Sequence, residues 1–233
     1  MKTKILSVII PVFNEEKTVS QIVKKVNDIR LTGIKKQIII VDDGSTDSTK
    51  PELKKLKDRY KGMTVVYKEK NEGKGSAVRR GIEFIKGEYA IIQDADLEYD
   101  PEDYKILIKP LIMGKADVVY GSRFLGTHRA FLYWHYVANK ILNFITNILY
   151  NSILTDMETC YKIFKSSVLK ELNLKSNGFE IEPEITAKVL KRNYKIYEVP
   201  ISYYGRGYDE GKKINAIDAF KAVFVLLKYM FFK

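Results

Sequence analysis

Acidic side chains follow a hydrophobic run at residues 91–103, which read IIQDADLEYDPED. In an extended segment, side chains two residues apart point the same way, so alternate carboxylates can face one pocket. Hard oxygen ligands select Mg²⁺ or Mn²⁺, and these ions complete their shell with water and substrate phosphates. We therefore expect a divalent metal site at Asp94, Asp96 and Glu98.

Polar residues end three other hydrophobic runs in the same way. Asn14 and Glu15 follow the run ILSVIIPVF, Asp42 and Asp43 follow QIIIV, and the segment 71–75 follows TVVY. Each run is rich in β-branched residues and is followed by a helical pattern, which predicts strands alternating with helices. This alternation predicts an α/β fold with an open, mostly parallel sheet flanked by helices.

Ligands of such sheets bind at the carboxyl ends of the strands, where all four polar clusters fall. An alternative is that each acid caps the helix behind it, which fits Asp47 and the Pro101–Glu102 pair. Several converging carboxylates would raise one another's pKa values unless a cation or a donor-rich ligand offset them. The ensemble therefore favours a binding site over capping alone.

The glycine-rich segment NEGKGSAVRRG at residues 71–81 is not a known phosphate loop. Lys74 precedes Gly75 where a Walker A loop needs Gly-Lys-Ser/Thr, and Val78 stands where a dinucleotide fingerprint needs Gly or Ala. We expect the glycines to let the backbone pass close to a ligand at a helix N-terminus.

Composition limits the class of protein. The 233 residues carry a formal net charge of +11, which suggests an anionic partner. The acids at the strand ends would repel nucleic-acid phosphates, so we expect no nucleic-acid partner. The single cysteine, Cys160, excludes an internal disulfide framework, and the N-terminal run does not fit a signal peptide. We expect a cytoplasmic protein.

The order and spacing of these motifs resemble a known family. SVIIPVFNEE, VDDGSTDST, NEGKGSAVRRG and DADLEYDPED are similar to the successive motifs of inverting family-two glycosyltransferases with the GT-A fold. They particularly resemble those of the dolichyl-phosphate mannose and glucose synthases, and this resemblance implies a GT-A type mixed sheet that is Rossmann-like and binds a nucleotide. The resemblance continues through YGSRF, TDMETCYKIF, EPEITAKVLKR and EVPISYYGR, so it covers almost the whole chain.

The resemblance implies roles for individual residues. Asp94 and Asp96 match the two acids of the DxD motif, and Glu98 stands where the synthases often carry a metal-binding Gln. Arg123 matches an acceptor-phosphate ligand, and Arg129 is our substitute for a second arginine in a segment that departs from the synthases. The residues that match donor-binding positions, or lie with them, are Pro11, Phe13, Glu15, Asp42, Asp43, Lys74, Asp94, Arg206 and Lys212.

The implied reaction moves mannose or glucose from GDP-mannose or UDP-glucose to a polyprenyl or dolichyl phosphate. Arg206 and Lys212 would stabilise the departing diphosphate together with the metal. A phosphate monoester with a second pKa near 6 needs no general base, so Arg123 and Arg129 would only position it. A hydroxyl acceptor on a soluble molecule or glycan would need a base, for which Asp156 is the candidate. A non-catalytic nucleotide-binding module is the alternative from another class.

Two amphipathic segments indicate a membrane surface. Residues at about 131–150 belong to a predicted catalytic domain spanning 1–213, and 214–233 form a predicted C-terminal helix that could anchor the protein. Each combines aromatic and aliphatic residues with recurring polar ones, which suits a helix lying in the interface better than one crossing it. We expect a peripheral enzyme on the cytoplasmic face. The alternative is that both segments pack on the core or on a second subunit of a homodimer.

Overall fold

A mixed seven-stranded sheet organises the computed structural model of this chain, which describes residues 3–126, 132–205 and 216–232. The strand order is β3-β2-β1-β4-β6-β5-β7. The strands are β1 Lys4–Val12, β2 Ile34–Asp42, β3 Thr64–Tyr67, β4 Tyr89–Ile92, β5 Val118–Ser122, β6 Lys162–Lys165 and β7 Ile196–Pro200.

Strand pairing confirms the predicted open, mostly parallel sheet. β1 pairs in parallel with β2 and β4, β2 pairs in parallel with β3, and β5 pairs in parallel with β7. β6 is the antiparallel member and lies between β4 and β5. One strand, β6, therefore runs against its two neighbours, immediately beside β4, the strand that precedes the acidic run.

Helices flank the sheet and connect its parallel strands. They are α1 Val19–Asp28, α2 Thr49–Arg59, α3 Lys74–Ile82, α4 Tyr104–Leu107, α5 Lys109–Ile112, α6 Tyr133–Tyr150, α7 Ser166–Glu171, α8 Ile181–Lys191 and α9 Ala216–Phe231, with a 3₁₀ turn at Pro101–Asp103. Helix α3 packs against β1 and β2, and α7 packs against β6 and β4.

The main hydrophobic core lies on the sheet because its strands are β-branched and buried. Ile9, Ile39, Ile40 and Ile91 are completely shielded from solvent. Burial of each such side chain contributes about 1.5–3 kcal/mol relative to exposure. These strands therefore form a stiff base, and the polar residues at their carboxyl ends are held in fixed positions.

A second, smaller hydrophobic cluster joins α6, α8 and α9 to one another. Its buried members are Leu142, Met157, Ala187, Ala222, Val225, Leu226 and Tyr229. Hydrogen bonds support it: the Tyr229 hydroxyl donates to Glu184 Oε1 at 2.9 Å, and the Tyr150 hydroxyl donates to the Leu226 carbonyl at 2.7 Å. The two segments predicted as amphipathic thus pack on the body of the protein, as the alternative interpretation expected.

The same two helices also leave large apolar side chains exposed. Trp134 is 76% exposed, Phe144 65%, Phe220 79% and Phe224 68%. Each helix therefore has one apolar side in the small cluster and another facing outward. Among the described residues, no helix has both the length and the apolar character needed to cross a bilayer.

Candidate functional site

The carboxyl ends of β1 to β4 meet at one edge of the sheet. Register fixes this, because Val12 pairs with Asp42, Asp42 with Tyr67 and Ile9 with Ile92. A cavity of about 700 Å³ opens at this edge. Residues predicted from the sequence that line it are Pro11, Phe13, Glu15, Asp43, Lys74, Asp94, Asp96, Glu98 and Arg123.

The remaining predicted residues do not line this cavity or lie outside the described part of the chain. Asp42 and Asp156 are completely buried and are not lining residues. Arg129, Arg206 and Lys212 fall outside the described residues. The described site is therefore acidic at the strand ends, with cations at Lys74 and Arg123.

The acidic segment 94–98 is a turn, so the prediction of an extended conformation was wrong. Leu97 has a φ of 66°, and the Glu98 amide donates to Asp96 Oδ1 at 3.1 Å. Because the chain turns here, strand-like alternation does not orient the carboxylates. Asp94, Asp96 and Glu98 nevertheless all line the cavity, since the turn bends around its rim.

Tyrosines anchor this turn from below. Gln93, at the end of β4, is fully buried, and its Oε1 accepts hydrogen bonds from the Tyr104 and Tyr161 hydroxyls, both at 2.6 Å. Burial raises the pKa of both tyrosines well above the ordinary value, so they remain donors. The Tyr203 hydroxyl donates to Glu98 Oε2 at 2.6 Å. These contacts join segments far apart in sequence, and the sequence patterns did not reveal them.

Lys74 links the acidic turn to α8. Its ammonium lies 2.9 Å from Asp94 Oδ1 and 3.3 Å from Glu182 Oε1. Burial works against the ammonium charge, but Asp94, Cys160 and Glu182 together outweigh it and raise the pKa of Lys74 well above its usual range. Glu182 Oε2 also accepts from buried Lys162 at 2.6 Å. A continuous chain of alternating charges therefore runs along this wall.

The glycines around Lys74 serve packing within the protein. A Cβ added at Gly75 would lie 2.5 Å from the Ser176 carbonyl oxygen, and one at Gly73 would lie 2.5 Å from the Asn177 carbonyl oxygen. Gly73 also has a φ of 104°, which side chains rarely adopt. These glycines permit a close approach to the backbone of 176–177. Gly73 also lines the cavity, so the predicted approach to a ligand stays a prediction.

The two acids after β2 differ in their surroundings. Asp43 Oδ2 accepts hydrogen bonds from the backbone amides of Gly73 at 2.7 Å and Glu72 at 3.2 Å, so this carboxylate orders the loop before α3. Asp42 Oδ1 accepts from the Ser45 amide at 3.2 Å. Its Oδ2 is buried and has no hydrogen-bond partner among the residues that the structure describes.

Arg123 is held rigidly on the opposite wall. Its Nε donates to Asp156 Oδ2 at 2.8 Å and its NH2 donates to Asp156 Oδ1 at 2.7 Å, a two-pronged contact that fixes the guanidinium plane. The guanidinium also lies over the Tyr203 ring, 5.2 Å from its centroid. Burial opposes its charge, but Asp156, Tyr99 and Tyr203 together outweigh burial and raise the pKa of Arg123. Asp156 therefore lies behind Arg123 and orients it, a geometry that does not favour a base role.

The sequence patterns also missed Glu158, which lines the cavity beside Arg123. Burial of its carboxyl raises the pKa of Glu158 to about 7. Glu158 lies in the motif TDMETCYKIF and Glu182 lies in the motif EPEITAKVLKR. The neighbouring residues in both motifs are mostly buried. The signal that could have identified Glu158 was a charged residue inside a motif whose other residues are mostly buried.

The site suits a metal that completes its shell with substrate oxygens. Within the described ranges, no three His, Cys, Asp or Glu side chains come together to hold an ion by themselves. Asp94 and Asp96 nevertheless line one cavity with hard oxygen atoms, and Mg²⁺ is commonly held by one or two carboxylates and phosphates. The donor set therefore fits such an ion at Asp96 and its neighbours, but does not form a closed cage.

The far end of the cavity is apolar. It extends from the acids to the gap between α6 and α9, where the apolar lining residues are Trp134, Ala138, Leu142, Ala219 and Ala222, joined by polar His135, Asn139 and Asp218. Trp134 also belongs to the exposed apolar surface of α6. One cavity thus joins a charged strand edge to the outward-facing helices.

Comparison with protein sequences gives a family match over most of the chain. The family described as Glycosyl transferase family 2 matches residues 7–173. The uncharacterized protein MJ1222 of Methanocaldococcus jannaschii is 30% identical over 97% of this chain and 92% of its own length. A dodecaprenyl-phosphate galacturonate synthase of Rhizobium johnstonii is 26% identical over 97% of this chain and 67% of its own length.

Comparison with solved structures supports the fold. The glucosyl-3-phosphoglycerate synthase of Mycobacterium tuberculosis, solved with Mn²⁺, uridine diphosphate and glucosyl-3-phosphoglycerate, superposes with a TM-score of 0.74. The match covers 99% of this chain and 81% of that one, at 19% sequence identity. This similarity confirms the predicted α/β fold of the GT-A type.

Proposed function

Because this chain belongs to glycosyl transferase family 2, we propose that it transfers a hexose from a nucleotide sugar to a polyprenyl or dolichyl phosphate. The observation that carries the proposal is the single cavity that joins the acids of the strand edge to an apolar gap between α6 and α9. The name of the Rhizobium relative, a dodecaprenyl-phosphate galacturonate synthase, supports an acceptor of this class.

The donor would bind at the strand edge. Pro11, Phe13 and Glu15 line the cavity beside β1 and offer it a mixed apolar and polar wall. Asp42 lies behind the cavity lining and remains a proposed neighbour of the base, and its buried Oδ2 has no hydrogen-bond partner among the described residues. Arg206 and Lys212 remain proposed ligands of the diphosphate. The sugar would be mannose or glucose, carried by GDP or UDP.

A divalent ion would assist the departing diphosphate. Asp94, Asp96 and Glu98 would hold Mg²⁺ or Mn²⁺, whose charge would stabilise the negative charge that develops on the leaving group. Lys74 supplies a fixed positive charge beside Asp94 whatever else binds. Because Lys74 lies between Asp94 and Glu182, it would also offset part of their negative charge before the donor binds.

The acceptor phosphate would meet Arg123. Asp156 already occupies one side of the guanidinium, so Arg123 cannot change its orientation cheaply and presents a preorganised positive charge. A dianionic phosphate attacks without losing a proton, so the reaction needs no base at this position. A single displacement of this kind inverts the anomeric centre. Arg129 is the proposed second ligand.

The exposed apolar surfaces of α6 and α9 would lie in the membrane interface. Lys221 and Lys228 are exposed beside these aromatic residues, and basic groups near anionic lipids contribute on the order of 1 kcal/mol each. The apolar end of the cavity would then open towards the bilayer that holds the lipid chain. A homodimer that covers the same surface is the competing explanation.

Transfer assays can test this function directly. The protein would be incubated with radiolabelled UDP- and GDP-hexoses, Mg²⁺ or Mn²⁺, and either polyprenyl phosphate in detergent or a soluble hydroxyl acceptor. We expect label to enter the organic phase only with the lipid phosphate, and chelator to abolish transfer. Arg123→Lys should raise the KM for lipid phosphate about tenfold or more. A lysine cannot reproduce the planar, two-pronged contact with Asp156 that orients the cation towards the phosphate. Transfer to the soluble acceptor alone would contradict the proposal.

A further inference from the structure

The Glu158 carboxyl has a buried oxygen, Oε1, that accepts no hydrogen bond from any residue that the structure describes. Its Oε1 is shielded from solvent, and no hydrogen bond or ion pair within the described residues involves this carboxyl. The residue lines the cavity and is only partly covered, so the carboxyl is within reach of a bound ligand. A buried polar group without a partner is destabilising by about 1–3 kcal/mol. The other buried acids of this wall are in ion pairs, Asp156 with Arg123 and Glu182 with Lys162 and Lys74, although Glu182 Oε1 accepts no hydrogen bond within the described residues.

Glu158 lies between the donor side and the acceptor side of the cavity. Burial is the main reason that the pKa of Glu158 is raised to about 7, and four charged neighbours also act on it. Arg123 and Asp156 belong to the acceptor wall, whereas Lys162 and Glu182 continue through Lys74 towards Asp94 on the donor wall. In the proposed reaction the group that occupies this middle position is the sugar in transit.

The chemistry of a carboxylate selects the kind of group that can fill this position. An ionised carboxylate only accepts hydrogen bonds, so it repels a phosphate and attracts hydroxyl donors. The neighbouring cations Lys162 and Arg123 would disfavour a divalent ion here. A hexose presents adjacent hydroxyl groups, each a donor, and is the part of the substrate with the matching chemistry.

We propose that Glu158 accepts hydrogen bonds from hydroxyl groups of the transferred hexose and thereby contributes to the choice of sugar. This inference rests on the proposed function, since it needs a nucleotide sugar in the cavity. It assigns no proton transfer to Glu158, because a phosphate acceptor needs no base. Glu158 would act by binding the sugar, and its effect should therefore appear when the sugar is present and disappear when it is absent.

Calorimetric titrations separate the sugar contribution from that of the nucleotide. Wild-type protein, Glu158→Gln and Glu180→Gln would each be titrated with UDP, UDP-glucose, GDP and GDP-mannose in the presence of Mg²⁺ at pH 8. Glu180 is the matched control because it lines the same cavity, but its Oε1 already accepts from the Gly178 amide at 3.0 Å. The measured quantity is the ratio of the two dissociation constants, nucleoside diphosphate to nucleotide sugar.

We expect Glu158→Gln to leave the affinity for the nucleoside diphosphate within about twofold and to reduce the sugar contribution about tenfold to a hundredfold, the range for hydrogen bonds to a charged group. The control variant should match the wild type for both ligands. A sugar contribution that is unchanged in Glu158→Gln, or absent from the wild type, would overturn the inference. Equal losses for both ligands would also overturn it, because they indicate a structural role.

The same titrations distinguish this inference from the function on which it rests. If the wild type binds neither nucleoside diphosphate, the proposed transferase activity fails and the inference fails with it. If the wild type binds nucleotide sugar more tightly than nucleoside diphosphate, and Glu158→Gln retains that difference, the transferase proposal stands and only the role of Glu158 is wrong.

Discussion

The two ends of the cavity are built on different kinds of structure. The proposed donor end lies on parallel strands whose β-branched side chains form the main core, and β1 and β2 are buried along most of their lengths. The proposed acceptor end lies on α6 and α9, which share a small cluster and expose large aromatic residues. The strand edge can fix charges with little freedom, whereas the helical end offers apolar surface to something outside the protein. The substitutions below would separate these two contributions.

The Arg123–Asp156 pair connects the two ends and should show the largest effect. Asp156 is fully buried, so Arg123→Ala would leave an uncompensated carboxylate and should lower the free energy of unfolding by about 3–5 kcal/mol. Adding Asp156→Asn should recover much of that loss, because it removes the stranded charge. Urea unfolding of both variants provides the measurement. No recovery in the double variant would mean that Arg123 stabilises the protein through other contacts.

Asp96 tests the charge at the donor end. Asp96→Asn should reduce transfer about a hundredfold or more, the size expected when a group that stabilises leaving-group charge is lost. The melting temperature should hardly change, since the residue lies at the rim of the cavity. Steady-state assays and thermal unfolding would be compared with Asp58→Asn, an exposed acid on α2. Full turnover in Asp96→Asn would remove this residue from the mechanism.

The sequence predicted the strand edge better than the helical end. Runs such as QIIIV have a strong local signature, and because parallel strands end on one side, the acids after them could be placed together. β6 could not be placed in this way, since its position depends on pairing between Ala90 and Phe164, which are far apart in the chain. The amphipathic character of α6 and α9 was evident, but a periodic pattern does not say which apolar side is covered.

Partnerships at the site were the least predictable feature. Sequence motifs placed Arg123 and Asp156 in the site, yet their ion pair depends on how two distant loops pack. The turn at Leu97 was missed because the carboxylates around it suggested extended alternation. Glu158 was missed because nothing in its local sequence distinguishes an acid that lacks a partner from one that is paired.

Glu158 should also make stability depend on pH. Its pKa is raised from an ordinary value of 4.5 to about 7, so the folded state holds this proton more tightly than the unfolded state. The favourable contribution of this proton to the free energy of unfolding is complete below about pH 4.5 and is lost as the pH rises through about 7. Glu158→Gln should therefore be more stable than the wild type at pH 8 by on the order of 1–3 kcal/mol.

Chemical denaturation at pH 5 and pH 8 would check this difference. We expect the free energy of unfolding of Glu158→Gln to exceed that of the wild type slightly at pH 5 and by more at pH 8. At pH 8 the variant should also bind the nucleotide sugar more weakly than the wild type. An advantage of equal size at both values would mean that ionisation of Glu158 is not its source.

The outward surface of α9 should have a smaller effect that is confined to membranes. Substituting both Phe220 and Phe224 by Ser should weaken binding to anionic vesicles about tenfold, since both side chains are exposed and available for apolar burial. The melting temperature should stay within about two degrees, because neither belongs to the small cluster. Point substitutions are preferable to removal of α9, which would expose that cluster.

Vesicle sedimentation with Met113→Ser as the control would measure this effect. Met113 is 63% exposed but lies after α5, away from α6 and α9. Unchanged vesicle binding in the double variant, together with a change from dimer to monomer in solution, would assign this surface to a homodimer.

The most direct test of the shared cavity is to fill its apolar end. Ala138 lines the cavity on α6, whereas its neighbour Val137 does not, so Ala138→Trp and Val137→Trp form a matched pair. We predict that Ala138→Trp raises the KM for polyprenyl phosphate at least about fivefold, given the 1–3 kcal/mol usual for overpacking, and leaves nucleotide-sugar affinity unchanged. Val137→Trp should match the wild type in both. Unaltered use of polyprenyl phosphate by Ala138→Trp would contradict an acceptor path between α6 and α9.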